Sequence, residues 1–246
     1  MTEPLIKVDR DGAIATLTLN RPDKRNALNL ALWGELAEHL HRIEAAGDSI
    51  AVVILRAAGE VFCAGNDLKE RGAKAPSRNY QAKIITRLAN LPQAVIVAVQ
   101  GGCFTGGLEL ALAGDIIIAS ESATFADTHG KFALVPAWGM SQRLPRRVGQ
   151  WKAREMSLTG LPVTGSEAAR IGLANHCVPD DQLDGKCCEL AEAIASQSRH
   201  SVFAYKKLYT EQADLPLAAG LAHEVFASAG AGPDFAELAA AKFGKT

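Results

Sequence analysis

Apolar residues follow two different periods along the first half of the chain. A spacing of about 3.6 residues predicts helices, and short runs rich in β-branched residues predict strands. The predicted strands cover residues 13–19, 51–55, 95–99 and 115–119, and the predicted helices between them cover about 29–46 and 77–89. Because strands and helices alternate up to about residue 120, we expect right-handed crossovers, a largely parallel sheet and an α/β fold.

The helical pattern dominates after Gln150. Thr164 and Glu167 have the spacing of a capping box, which predicts the start of a short helix. Further helices are predicted at 183–196, 201–210, 215–229 and 235–243. The alanine-rich faces of these helices suit packing against the core of the chain or against another copy of it.

Composition narrows the class of protein. The chain has 246 residues, 48% of them hydrophobic, which is enough for one substantial core. Its 26 basic and 27 acidic residues nearly balance, which disfavours nucleic acid and anionic membranes as partners. No apolar stretch approaches the roughly 20 residues that cross a bilayer, and the N-terminal segment lacks a signal pattern. We therefore expect a soluble, cytoplasmic protein.

The cysteines and histidines do not have the spacing of a metal site. The 5 cysteines form no C-x-x-C pair, so we expect reduced thiols. His39 and His41 are two residues apart and point in different directions on a helix. We predict that the protein binds no metal.

A glycine-rich segment follows the apolar run at 95–99 and leads into a helix. Gly106 and Gly107 open this helix, and Glu109 lies in its first turn. Free N–H groups at a helix N-terminus stabilise negative charge. The segment lacks the residues of a P-loop or a dinucleotide fingerprint, which excludes NTP and NAD sites. The alternative is that the glycines only permit a tight turn.

A second loop, at residues 62–68, also follows a predicted strand. Loops after parallel strands meet at the same edge of the sheet, so each loop can supply one N–H donor to a shared oxygen. The candidates are Asn66 and Gly106, and such a donor contributes roughly 10²–10³ in rate. Glu109 stands among apolar residues, where a carboxylate is either functional or, as the alternative, stabilised by the helix dipole.

Together, the motifs of this chain resemble those of the enoyl-CoA hydratase/isomerase (crotonase) superfamily, in the same order and over almost the whole chain. These motifs are RPDKRNALN at 21–29, FCAGNDL at 62–68, GGLELALAGD at 106–115, and Pro136 followed by SQRLP at 141–145. The resemblance implies a spiral of repeated ββα units, with a helical C-terminal region that forms a homotrimer or a dimer of trimers. We accordingly predict a core with the active site at 1–190 and a helical region for packing and oligomerisation at 191–246.

The resemblance also implies an acyl-CoA thioester as substrate, with no cofactor beyond the CoA that the substrate carries. Its thioester carbonyl would lie between the N–H groups of Asn66 and Gly106. Lys24 and Arg25 are candidates to meet the CoA phosphates, and the alternative is that these exposed turn residues only favour solubility. Trp138 either shapes the acyl pocket or anchors its loop. The predicted substrate-binding residues are Lys24, Arg25, Ala27, Ala64, Gly65, Asn66, Asp67, Leu68, Gly106 and Trp138.

Hydratases of this superfamily use two glutamates, and the chain departs from that pattern at one of them. Glu109 matches the first, which activates water, whereas the second position holds His129. Histidine can act as acid or base at neutral pH, so His129 is our candidate for an auxiliary acid or an orienting donor. The alternatives are that His129 is an inert wall of the pocket, or that nearby Asp127 takes its role.

The chemistry predicted first is addition of water to a trans-2-enoyl-CoA thioester through an enolate, with Glu109, His129, Asn66 and Gly106 as catalytic residues. Isomerisation, decarboxylation or thioester hydrolysis on the same scaffold are alternatives. A non-catalytic CoA-binding subunit is a further alternative from a different class. The carboxylate beside the glycine turn argues against that last alternative.

Overall fold

The computed structural model describes residues 3–70 and 74–244 of the chain. Its strands are β1 (Ile6–Asp11), β2 (Ile14–Leu19), β3 (Val52–Ala57), β4 (Ala94–Val99), β5 (Gly102–Phe104), β6 (Ile116–Ser120), β7 (Thr124–Ala126), β8 (Val163–Thr164) and β9 (His176–Val178). Its helices are α1 (Leu30–Ala46), α2 (Tyr80–Ala89), α3 (Gly106–Ala111), α4 (Met140–Val148), α5 (Gln150–Thr159), α6 (Gly165–Arg170), α7 (Leu183–Ala195), α8 (Arg199–Gln212), α9 (Leu217–Ala227) and α10 (Phe235–Phe243).

The apolar runs form a six-stranded sheet in the order β1-β2-β3-β4-β6-β9. β1 and β2 are antiparallel, and every other neighbouring pair is parallel. All six residues of β4 are buried, as expected for a central parallel strand that is covered on both faces. A smaller sheet has the order β5-β7-β8. The predicted α/β class with a largely parallel sheet is confirmed.

Each face of the large sheet is covered by helices. Leu55 and Val97 pack on one face in a cluster that includes Leu36 of α1. The neighbouring residue Ile54 points to the opposite face, where Leu183 of α7 covers it. Position 190 lies within α7, and the boundary between 1–190 and 191–246 stays a prediction.

Local capping explains where several predicted helices begin. Asn29 precedes α1, and its side-chain oxygen accepts a hydrogen bond from the N–H of Leu32 at 3.0 Å. Thr164 caps α6 in the same way through the N–H of Glu167 at 3.3 Å. The Glu167 carboxylate pairs with Arg170 at 2.6 Å, so in place of a reciprocal capping box it forms an ion pair within the helix.

Other elements differ from the prediction. α2 begins at Tyr80 because Asn79, at φ 58°, has a left-handed backbone. The glycine-rich segment contains the short strand β5 before α3. The pattern did not predict β1, which buries only its first residue, or α4, whose buried residues are Met140 and Leu144. Because β1 and α4 bury so few residues, their apolar positions are too few to show a recognisable period.

The last helices present apolar side chains on their surface. α9 and α10 bury none of their residues. The exposed side chains include those of Leu217, Val225, Phe226 and Phe235. Within the described residues, no helix is both long and apolar enough to cross a membrane.

Candidate active site

Loops from both sheets enclose a cleft of about 800 Å³. Segments 21–25 and 67–70 contribute charged side chains to its lining, and segment 132–138 contributes apolar side chains. The predicted residues that line the cleft are Lys24, Arg25, Ala27, Ala64, Asn66, Asp67, Leu68, Gly106, Glu109, His129 and Trp138. Gly65 does not line the cleft: it lies behind the loop at φ +102°, where a Cβ would be 3.1 Å from the Phe104 carbonyl oxygen.

Two backbone N–H groups lie close together in the middle of the cleft. The N–H of Leu28 donates to the Gly65 carbonyl at 2.8 Å, and the N–H of Asp67 donates to the Leu28 carbonyl at 3.0 Å. The intervening N–H of Asn66 has no acceptor among the described residues, and neither has that of Gly106 at the start of α3. A Cβ on Gly106 would lie 3.4 Å from the Asn66 nitrogen, so the two loops place these donors side by side.

Cys63 holds the two donor loops against each other. Its N–H donates to the Gly102 carbonyl, and its carbonyl accepts from the N–H of Phe104, both at 3.0 Å. A Cβ on Gly107 would lie 2.6 Å from the Cys63 carbonyl oxygen, so this close approach requires glycine. Burial raises the pKa of the Cys63 thiol to about 12, so the thiol stays protonated and acts structurally.

A buried asparagine organises the turn that carries the cleft residues Lys24 and Arg25. The Asn26 side chain accepts from the N–H of Arg21 at 2.8 Å and donates to the carbonyls of Ala58 and Val61 at 2.9 and 2.7 Å. The guanidinium of Arg21 pairs with the Asp67 carboxylate at 3.2 Å. This pairing gives the Asp67 side chain a role in holding the loop. Sequence analysis missed Asn26, because both carbonyls to which its side chain donates lie more than thirty residues away.

Glu109 is the buried carboxylate of the site, with 1% of its surface exposed. Its Oε1 accepts from the N–H groups of Trp138 at 2.8 Å and Met140 at 3.1 Å. Its Oε2 lies 3.6 Å from Nε2 of His129. Burial raises the pKa of Glu109, and the two N–H donors together with His129 offset only part of this effect.

His129 lies between two carboxylates. Its Nδ1 is 2.6 Å from Oδ1 of Asp127, and its N–H donates to the same oxygen at 3.2 Å. Burial by itself raises the pKa of Asp127. The hydrogen bonds from His129 and Ser157 lower this pKa by more than burial raises it, so the net pKa is below the usual value. Asp127 thus stays ionised behind the ring, and His129 is the group that faces Glu109.

Trp138 closes the cleft on the side of Gly106. Its indole packs edge-on against Trp33, with ring centroids 5.2 Å apart and an interplanar angle of 78°. Nη1 of Arg143 donates to the Trp138 carbonyl at 2.9 Å. The backbone N–H of Trp138 donates to Glu109. The N–H, the carbonyl and the indole ring of this residue are therefore all held in place.

Comparison with known proteins decides the family. The profile of enoyl-CoA hydratase/isomerase matches residues 9–231, which is most of the chain. The chain belongs to the enoyl-CoA hydratase/isomerase family. It is 37% identical over 227 residues to a probable peroxisomal enoyl-CoA hydratase 1 of Arabidopsis thaliana, covering 91% of this chain and 85% of that protein. The family predicted from the motifs is therefore confirmed.

Other members of the enoyl-CoA hydratase/isomerase family show the same likeness. The 1,2-epoxyphenylacetyl-CoA isomerase of Escherichia coli K12 is 36% identical over 193 residues, 75% of this chain and 73% of that protein. The crystal structure of an enoyl-CoA hydratase from Bacillus anthracis superposes with a TM-score of 0.91 at 36% identity, covering 97% of this chain and 96% of that one. The fold of this family member is thus the fold of solved enoyl-CoA hydratases.

Metal-ligating side chains are dispersed in this family member. Across residues 3–70 and 74–244, no group of three or more His, Cys, Asp and Glu side chains is placed to hold a metal ion. The predicted absence of a metal and of a cofactor stays a prediction.

Proposed function

We propose that this member of the enoyl-CoA hydratase/isomerase family adds water to the double bond of a trans-2-enoyl-CoA thioester. The observation that carries the proposal is the buried Glu109 carboxylate, 3.6 Å from the imidazole of His129, in a cleft that also holds two unused backbone donors. The names of the relatives support the same chemistry, since most of those compared are enoyl-CoA hydratases.

The two donors would bind the thioester carbonyl. In this proposal, the N–H groups of Asn66 and Gly106 donate to the carbonyl oxygen and to the enolate oxygen that develops from it. Each such donor contributes roughly 10²–10³ in rate, because it is already oriented when charge appears. The CoA then lies toward Lys24 and Arg25, which belong to the charged lining of the cleft.

The acyl chain would extend toward the apolar lining of the cleft. This lining includes Leu134 and Trp138, together with Phe132 and Val135, whose side chains are exposed. Burial of these side chains against an acyl chain stabilises the complex by about 25 cal/mol per Å² of apolar surface.

Glu109 and His129 would divide the proton transfers. The Glu109 carboxylate takes a proton from water as the water oxygen bonds to the β-carbon, and the electrons of the double bond move into the thioester as an enolate. His129 then gives a proton from Nε2 to the α-carbon. Transfer of the first proton from Oε2 of Glu109 to Nε2 restores both groups across the 3.6 Å gap. Asp127 occupies Nδ1 and so leaves Nε2 as the ring atom available to the site.

The exposed apolar side chains of α9 and α10 support a homotrimer or a dimer of trimers, in which these helices pack against another copy. A cytoplasmic location, the absence of a cofactor beyond the CoA of the substrate, and the absence of nucleic acid or membrane partners stay predictions.

The test is steady-state hydration of crotonyl-CoA, followed by the loss of the enoyl-thioester ultraviolet absorbance. Glu109→Gln should lower kcat by about 10²–10⁴, because general acid–base catalysis contributes that much, and His129→Ala should also lower it. Glu155→Gln is the matched control, since this glutamate is exposed on α5 and outside the cleft lining.

Near-normal hydration by Glu109→Gln would overturn the proposal. Unchanged turnover by His129→Ala would remove His129 from the mechanism. A mass-spectrometric panel of saturated, 2-enoyl, 3-enoyl, β-hydroxy and malonyl-type thioesters identifies the reaction, and turnover of the 3-enoyl thioester alone would indicate an isomerase.

A further inference from the structure

Thr105 has an unusual backbone conformation for a β-branched residue. Its φ is 53° and its ψ is −112°. Its Cβ makes this region sterically unfavourable, and such conformations persist only where surrounding contacts hold them. The residue stands directly before Gly106, the proposed donor to the thioester oxygen.

Two hydrogen bonds hold Thr105 to the last residue of β7 and to the segment that follows it. The N–H of Thr105 donates to the Ala126 carbonyl at 2.9 Å. The hydroxyl of Thr105 is hydrogen-bonded to the hydroxyl of Thr128. Both threonine side chains are half-buried, and the bond between their hydroxyls joins two loops that are 23 residues apart in sequence.

The hydrogen bond between the two threonines lies one residue before Gly106 and one residue before His129, which must cooperate in the proposed reaction. Gly106 follows Thr105, and the Thr105 carbonyl accepts from the N–H of Glu109 at 3.0 Å. His129 follows Thr128. The position of Thr105 therefore determines both the donor at Gly106 and the start of the helix that carries Glu109, and Thr128 ties this unit to His129.

We propose that the hydrogen bond between Thr105 and Thr128 positions the thioester donor and Glu109 relative to His129. The two threonines are positioning residues, and the inference rests on the proposed hydration reaction. The strained backbone at Thr105 is the form that keeps its hydroxyl on Thr128. Without that bond, Thr105 stays tied to β7 through its N–H, but no side-chain contact of Thr105 fixes the Gly106 turn relative to the segment that carries His129. A misplacement of about 1 Å lowers catalysis by as much as 10²-fold even where binding is unaffected.

The experiment compares Thr105→Val, Thr128→Val and the double variant with Thr105→Ser. Valine keeps the shape and removes the hydroxyl, whereas serine keeps the hydroxyl. Three quantities are measured for each: kcat and KM for crotonyl-CoA, the red shift of bound cinnamoyl-CoA absorbance, which reports polarisation of the thioester carbonyl, and the thermal unfolding temperature.

We expect each valine variant to lower kcat by about 10- to 100-fold with KM within twofold, and to reduce the red shift. The double variant should be no slower than the slower single variant, since both changes break the same bond. Thr105→Ser should regain most of kcat.

The inference is overturned if both valine variants keep kcat within twofold of the wild type, or if their effects multiply in the double variant. A lowered unfolding temperature with unchanged kcat and red shift would mean that the bond is only structural. Should Thr105→Val not fold, Thr128→Val alone decides between these results. If the wild type does not hydrate crotonyl-CoA, the proposed function fails, and the red shift still measures whether the bond orients the donor.

Discussion

Gly106→Ala tests the geometry of the cleft most directly. The added Cβ would overlap Cζ3 of Trp138, lie 3.1 Å from its Cε3, and approach the Asn66 nitrogen to 3.4 Å. The indole cannot retreat freely, because it packs on Trp33 and the backbone N–H of Trp138 donates to Glu109. Overpacking of this kind destabilises by about 1–3 kcal/mol.

Two assays measure the consequence. In a chain of this size, 1 kcal/mol lowers the unfolding temperature by roughly 2–4 °C, so calorimetry should show a fall of about 2–12 °C. Displacement of the Gly106 donor should lower kcat for crotonyl-CoA by roughly 10²–10³. Gly185→Ala is the control: a Cβ there meets nothing within 4 Å, and alanine in α7 should stabilise by about 0.5–1 kcal/mol. Wild-type kcat and unfolding temperature in Gly106→Ala would refute the close packing of Trp138 on this donor.

The remaining predictions concern substitutions of charged residues. The pKa of Glu109 in the folded state is raised above its usual value of 4.5. Between these two pKa values the folded state binds more protons than the unfolded state, so it loses stability as the pH rises through that interval. Glu109→Gln should therefore unfold at a higher temperature than wild type at pH 7, and equal unfolding temperatures would contradict this linkage. Wild-type hydration should fall as the pH drops through the raised pKa of Glu109. Replacing Lys24 and Arg25 by alanine should raise KM for a CoA thioester, in a salt-dependent way, but leave KM unchanged for a pantetheine thioester without the nucleotide phosphates. Asp67→Asn should destabilise by about 1.5–3 kcal/mol because it leaves the half-buried Arg21 without its carboxylate, and hydrogen exchange at 64–68 should accelerate; unchanged exchange would mean that this pair does not hold the loop.

Much of the fold could be predicted from the sequence because its central elements have a strong local signal. α1 has the helical apolar period and the cap at Asn29, and β4 is a continuous buried run. β5, β7 and β8 are two or three residues long, which is too short for a period, and β1 exposes all but Ile6. These elements form because other strands and helices are already in place beside them.

The candidate site likewise has a part that the sequence could predict and a part that it could not. The motifs located Glu109, the two backbone donors and His129, because these residues occur in short segments of recognisable spacing. The contacts that orient them join distant segments. Glu109 accepts from Trp138, which is 29 residues away, and the Asn26 side chain donates to a carbonyl 35 residues away.

The sequence by itself determined the family and the α/β class and supplied the candidates for the reacting groups, because apolar period and ordered motifs are local properties. Only the tertiary structure decided which residue faces Glu109, how Asp127 holds His129, and how the hydroxyls of Thr105 and Thr128 meet. The physical reason is that hydrogen bonds and burial depend on distances across the folded core, and a linear pattern does not contain those distances.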